Sequence, residues 1–124
     1  MKIVVTVARI LLGLMMLVFG LNKFFHFIPM EPPVAEEALA YMAVIVGSYI
    51  GPVIAVVEIV TGLMLLINKY LALAAVLVFP VMLNAFLYHI TLDPANSAGA
   101  ILALLFNIIL LWDKKESYQG MLIA

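Results

Sequence analysis

The chain has 124 residues, 68% of them hydrophobic, with a formal net charge of −1 and no cysteine. Soluble domains carry about 45–50% apolar residues, and a core of this size cannot hide the excess, so the surface must face lipid. Six basic residues against seven acidic ones leave no basic face for phosphates, which excludes nucleic acid. The missing cysteines exclude disulfides, thiolate catalysis and iron–sulfur ligation.

The first predicted element is a membrane span over residues 3–21, since about 20 apolar residues cross a hydrocarbon core of about 30 Å. Met1-Lys2 is a weak signal-type start and no small-residue cleavage site follows, so this helix is expected to be retained. Asn22 to Phe27 reads as an interfacial belt, with aromatic rings around a snorkelling Lys23. Pro29, Pro32 and Pro33 then break the helix, with Glu31 among them. Residues 34–50 open on Glu36 and Glu37, which favour a helix N-terminus. Their apolar part, about 13 residues or roughly 20 Å, is too short to span, so an interfacial helix on the outer side is predicted. Residues 52–67 form the second span and contain Glu58. Residues 70–90 form the third, kinked at Pro80, and 96–112 the fourth, capped by Asn96 or Ser97. Residues 113–124 are a cytoplasmic tail. The predicted fold is thus an all-α integral membrane four-helix bundle in a single domain, with an extra short helix between the first two spans.

Four spans place Lys2, Lys69, Lys114 and Lys115 on one side and Lys23, Glu31, Glu36, Glu37 and Asp93 on the other. The positive-inside rule then puts both termini in the cytoplasm, with the bundle in the inner membrane. A fifth span over 34–50 would separate Lys114 and Lys115 from Lys2, so charge favours four. Small residues recur every four positions at Gly47 and Gly51, and at Ala95, Gly99 and Ala103, spacing that lets helices approach closely within the bundle or in a homodimer.

Counted from the cytoplasmic ends, Arg9 lies about seven residues deep, Glu58 about nine and Asn107 about five, one layer roughly 6 Å thick at 1.5 Å per residue. This depth count predicts an Arg9–Glu58 ion pair, because a lone charge in hydrocarbon costs about 2.5–3.5 kcal/mol or more. Thr61, one turn away, is expected to add a hydroxyl. The pair is either a structural lock on register or the charged floor of a ligand cavity. A second polar group gathers toward the outer face: Asn22, Lys23, His26, Asn84, Tyr88 and His89. It suits the polar head of an apolar molecule such as a quinone, or consists of interfacial side chains with no ligand role. His26 and His89, with Glu31 or Asp93, lack the spacing of a metal site, so none is expected. No haem, iron–sulfur or nucleotide signal is present.

Two stretches carry a resemblance. Arg9-x3-Gly13 followed by Phe19-Gly20-Leu21-Asn22-Lys23 resembles the first helix of the DoxX family of small bacterial membrane proteins. Glu58-x3-Gly62-x2-Leu65-Leu66 resembles its second-helix pattern. The resemblance implies a four-helix membrane bundle with Arg9, Lys23 and Glu58 as family-type polar positions. The name-giving relatives are similar to a subunit of a thiosulfate:quinone oxidoreductase, which implies a membrane redox setting, a bound quinone or a redox partner subunit. The cysteine-based thiol chemistry of related four-helix proteins does not carry over. The functional expectation is a ligand-binding component of a membrane redox system, with Arg9, Glu58, Asn84, His89, His26 and Lys23 as candidate contacts. The alternatives are a non-catalytic assembly protein or a small carrier acting as a dimer.

Overall fold

The computed structural model describes residues 2–30 and 32–123. Five α-helices follow one another: α1 (Lys2–Phe25), α2 (Glu36–Gly47), α3 (Ile50–Leu66), α4 (Leu71–Leu92) and α5 (Ala98–Asp113). A 3-10 turn over Pro94–Asn96 leads into α5, and a 3-10 segment over Lys115–Leu122 follows it. Helix α1 packs most extensively on α3. Helix α3 lies beside α4, α4 beside α5, and α5 returns to α1, which closes a ring of four antiparallel neighbours. The core between them holds Leu12 and Met16 from α1, Leu65 from α3, Ala74, Ala75 and Val78 from α4, and Leu110 from α5, all essentially inaccessible. Leu14, Val56, Val60, Leu77, Leu105 and Ile108 point outward. A ring with an apolar inside and an apolar outside is a membrane helical bundle, since only lipid tolerates that second surface.

Helices α1 and α4, with 24 and 22 residues, are each long and apolar enough to cross a membrane. Helices α2 and α3 reach that length only as a pair bent by 76°, and α5 has 16 residues. The bend sets α2 across the bundle end rather than along it. Only Ala38 of α2 is fully buried. Helix α4 continues unbroken through Pro80.

The chain reverses tightly at both ends of the ring. After α3, Asn68 adopts the left-handed conformation (φ 61°). The Lys69 N–H donates to the Met64 carbonyl, and the Asn68 N–H to that of Leu65. This is the Schellman arrangement that satisfies the last carbonyls of a helix. After α1, His26 is left-handed (φ 51°) and its N–H returns to the Asn22 carbonyl at 2.8 Å. The buried Asn22 side chain accepts from the Ile28 N–H at 2.7 Å, which holds the exit of the helix. The tail is fastened back by Tyr118, whose hydroxyl donates to the Ala72 carbonyl at 2.7 Å. Burial pushes this phenol above its ordinary pKa, so it stays a neutral donor.

The closest helix approach is α1 on α3. A Cβ added at Gly62 would meet the Leu17 nitrogen at 2.7 Å and the Gly13 oxygen at 2.9 Å, both backbone atoms. One at Gly20 would meet the Ala55 oxygen at 3.0 Å. The four-residue spacings that the sequence suggests for close approach lie elsewhere. Gly47 and Gly99 have open space where a side chain would go, so neither closes a helix contact within the chain. Gly51 is tight only against the Ile45 carbonyl, across the α2–α3 bend.

Backbone contact at Gly62 leaves no side chain to give way. Gly62→Ala is expected to destabilise the protein by about 1–3 kcal/mol, the range for overpacking, read as a lowered thermal midpoint in detergent. Gly99→Ala, facing open space, is expected to leave that midpoint unchanged or slightly raised.

Candidate functional site

The α1–α3 approach sets a register, and the register assigns the charges. Gly20 lies level with Glu58, whose Cβ would stand 3.1 Å from a Cβ at Gly20. Lys23, almost one turn further out on α1, reaches back so that its Nζ lies 2.6 Å from Glu58 Oε1. Glu58 is buried, its side chain 5% exposed, whereas that of Lys23 is 36% exposed. The pair therefore has a closed anionic end inside the bundle and an open cationic end toward its surface. Lys23 keeps two further ammonium donors beyond the one given to Glu58.

Glu58 does not pair with Arg9. Arg9 lies eleven residues before Gly20 on the same helix, about 16 Å along the axis, beyond the reach of its side chain. Its Nη1 instead donates to the Leu65 carbonyl at 2.6 Å. That carbonyl belongs to the last turn of α3, where a helix presents its negative end and a cation is favoured. The depth count assumes that α1 and α3 start from one plane. With 24 residues against 17, α1 runs past the end of α3 and carries Arg9 to the end of the bundle where α1 begins. Thr61 does not reach the Glu58 carboxylate either. Its hydroxyl donates to the Val57 carbonyl at 2.7 Å and lies 3.3 Å from the Glu58 carbonyl. Asn107, fully buried, donates to the Ala75 carbonyl at 3.0 Å and keeps its Oδ1 without a partner.

The outer polar group separates into three parts. Asn22 holds the turn after α1, Lys23 serves Glu58, and His26 is exposed beyond the helix end with no side-chain hydrogen bond among the described residues. Glu31, a potential neighbour of the histidines, lies outside the described residues. The third part is a cluster between α2 and α4. Asn84 Nδ2 donates to the Tyr41 hydroxyl at 2.6 Å. The Tyr41 and Tyr88 rings stack with centroids 4.8 Å apart. His89 stands edge-on to Tyr88 at 4.9 Å. Its Nδ1 is shielded from solvent, has no hydrogen-bond partner, and lies 3.8 Å from Asp93 Oδ2. Asp93 in turn accepts from Asn96 Nδ2 at 3.1 Å. Sequence reasoning brings Asn84, Tyr88 and His89 together but misses Tyr41. The available signal was that Tyr41 is the single aromatic residue of α2, on a helix whose packing partner the sequence does not name.

Among the described residues no three His, Asp or Glu side chains converge as a metal site would require. The arrangement that remains is a helical membrane bundle with a buried ion pair in one seam and an aromatic, hydrogen-bonding cluster at the same end. The chain belongs to the DoxX family: the family model matches residues 4–90, a stretch that takes in Arg9, Lys23, Tyr41, Glu58, Asn84 and His89. No curated protein matches it, and no solved structure does.

The asymmetry of the ion pair predicts unequal single variants. Lys23→Met strands a buried carboxylate and is expected to destabilise the bundle by about 3–5 kcal/mol. Glu58→Leu leaves a lysine that can turn to the membrane surface and should cost clearly less. Lys23→Met with Glu58→Leu should recover most of the loss. Unfolding in mixed micelles reads all three. A double-mutant cycle between Arg9 and Glu58 is expected to be additive within about 0.5 kcal/mol.

Proposed function

We propose that this protein binds the head of a quinone-like molecule at the outer end of the bundle, in the cluster formed by Tyr41, Asn84, Tyr88 and His89. One observation carries the reading. Because Tyr41 accepts its hydrogen bond from Asn84, the Tyr41 O–H remains free to donate and Asn84 Oδ1 remains free to accept. A donor and an acceptor therefore stand side by side next to a stacked aromatic pair. A quinone carbonyl accepts from the first, a hydroquinone hydroxyl donates to the second, and the ring stacks on the tyrosines. His89 adds an imidazole whose Nδ1 is unpartnered. Lys23 extends the polar rim from α1. An apolar tail would follow the exposed Leu83, Leu87 and Ile90 of α4 into lipid. This replaces a site inside the bundle, whose axis is filled by Leu12, Met16, Leu65, Val78 and Leu110. Electron transfer, in this reading, belongs to a partner subunit.

The same proposal has all four ring helices crossing the inner membrane with both termini in the cytoplasm. The Lys and Arg bias supports this orientation: Lys2, Arg9, Lys69, Lys114 and Lys115 share one end of the ring. Helices α3 and α5 are about 24–26 Å long at 1.5 Å per residue, short of the hydrocarbon core by an amount that local thinning absorbs.

The ion pair favours a second reading. A pair locked into the tightest helix seam serves the fold whether or not anything binds, as in an assembly protein. Binding separates the two. A short-chain benzoquinone, added to purified protein in detergent, should be retained in native mass spectrometry. Tyr41→Phe keeps the stack and loses the donor, and is expected to weaken retention about tenfold, equivalent to about 1.4 kcal/mol. Tyr41→Leu loses both and should abolish it. Retention that is absent in the wild type, or equal across the three proteins, defeats the quinone reading. The orientation has its own check: a periplasm-dependent reporter enzyme fused to the C-terminus should be inactive.

A further inference from the structure

At the opposite end of the bundle, the tail and the α3–α4 turn flank a shallow, open depression. Its wall is the turn at Asn68 and Tyr70, the first turn of α4, and Lys114 and Ser117 from the tail. The hydroxyl of Tyr118 on the Ala72 carbonyl keeps the tail in place over α4. The polar lining consists of an ammonium, two hydroxyls and an amide, with no carboxylate among them. The nearest acid to Lys114 is Asp113, 3.6 Å away and outside the lining. Lys69 and Lys115 are exposed nearby, the latter 3.9 Å over the Trp112 ring. Tyr70 is 72% exposed and Trp112 66%, as expected of rings at headgroup depth. Below the hollow, Leu73 and Leu77 form an exposed apolar ridge along α4.

We propose that this hollow binds the phosphate-bearing head of an anionic glycerophospholipid, with Lys114 and Ser117 on the phosphate, Asn68 and Tyr70 at its rim, and the acyl chains along Leu73 and Leu77. Donor groups in a lining that holds no carboxylate suit a phosphodiester, the neighbouring lysines favour a net negative head over a zwitterionic one, and the ridge distinguishes a lipid from a free anion.

The test uses the intact protein in mild detergent, supplied with equal amounts of phosphatidylglycerol and phosphatidylcholine and examined by native mass spectrometry. One phosphatidylglycerol per chain should be retained in preference to phosphatidylcholine. Lys114→Gln with Ser117→Ala should lower its retention about tenfold without changing the helical circular dichroism signal. Lys2→Gln, which removes a charge at the same end but outside the hollow, should leave retention as it was. Equal retention of the two lipids, full retention by the Lys114 and Ser117 variant, or an equal loss in Lys2→Gln would each overturn the site. Millimolar inorganic phosphate should not displace the lipid, and displacement would overturn the lipid in favour of a soluble phosphate.

Discussion

The backbone approach of α1 to α3 is the constraint on which the rest of the structure depends. Gly62 seats against the backbone of Gly13 and Leu17, and Gly20 against that of Ala55. In lipid there is no hydrophobic force to bring helices together, so close packing and polar contacts across the seam must do it. Once these glycines are matched, the axial positions of Lys23 and Arg9 relative to α3 follow. Lys23 falls within reach of Glu58 and Arg9 falls at the end of α3. Sliding α1 by one turn would part the ion pair and separate Arg9 from the Leu65 carbonyl together. Packing and electrostatics therefore select the same register, the mutual support expected of a sequence that specifies one structure.

Each polar group near the membrane interior is held in a different way. Glu58 has a cation brought from the rim. Arg9 uses a helix terminus as its counter-charge. Thr61 bonds the backbone of its own helix, and Asn107 bonds the backbone of α4 across an interface. Asn22 holds the turn where α1 ends. Few of these groups remain free to meet a ligand. Apart from the buried Asn107 Oδ1, groups with unspent capacity lie at the two ends of the bundle: Tyr41, Asn84 and His89 at one, Lys114 and Ser117 at the other. The two ends differ in chemistry. The Tyr41–Asn84 cluster pairs neutral donors and acceptors with stacked rings, whereas at the other end Lys114 stands beside hydroxyl and amide groups.

Helix α2 links the scaffold to the Tyr41–Asn84 cluster. It buries little, and the 76° bend at Ser48 and Tyr49 carries it across the bundle end, where Tyr41 meets Asn84 and Tyr88. The short apolar segment that cannot span thus supplies the aromatic residue that completes the cluster.

The sequence alone determined the class of the protein. An apolar excess this large has only one solvent that accepts it, the prolines and paired glutamates set α2 apart, and the glycine and charged positions of the first and third helices carried the family resemblance. Tertiary structure decided the partners. Counting residues from each helix end put Arg9 opposite Glu58, because composition does not reveal that α1 overshoots the end of α3. The same blindness chose Gly47 and Gly99 over Gly13, Gly20 and Gly62 as contact points, since every glycine has the same lack of a side chain and only the facing helix distinguishes them. Tyr41 was missed for the corresponding reason: its role arises from a bend angle, and an angle between helices is a property of packing that no local pattern of residues encodes.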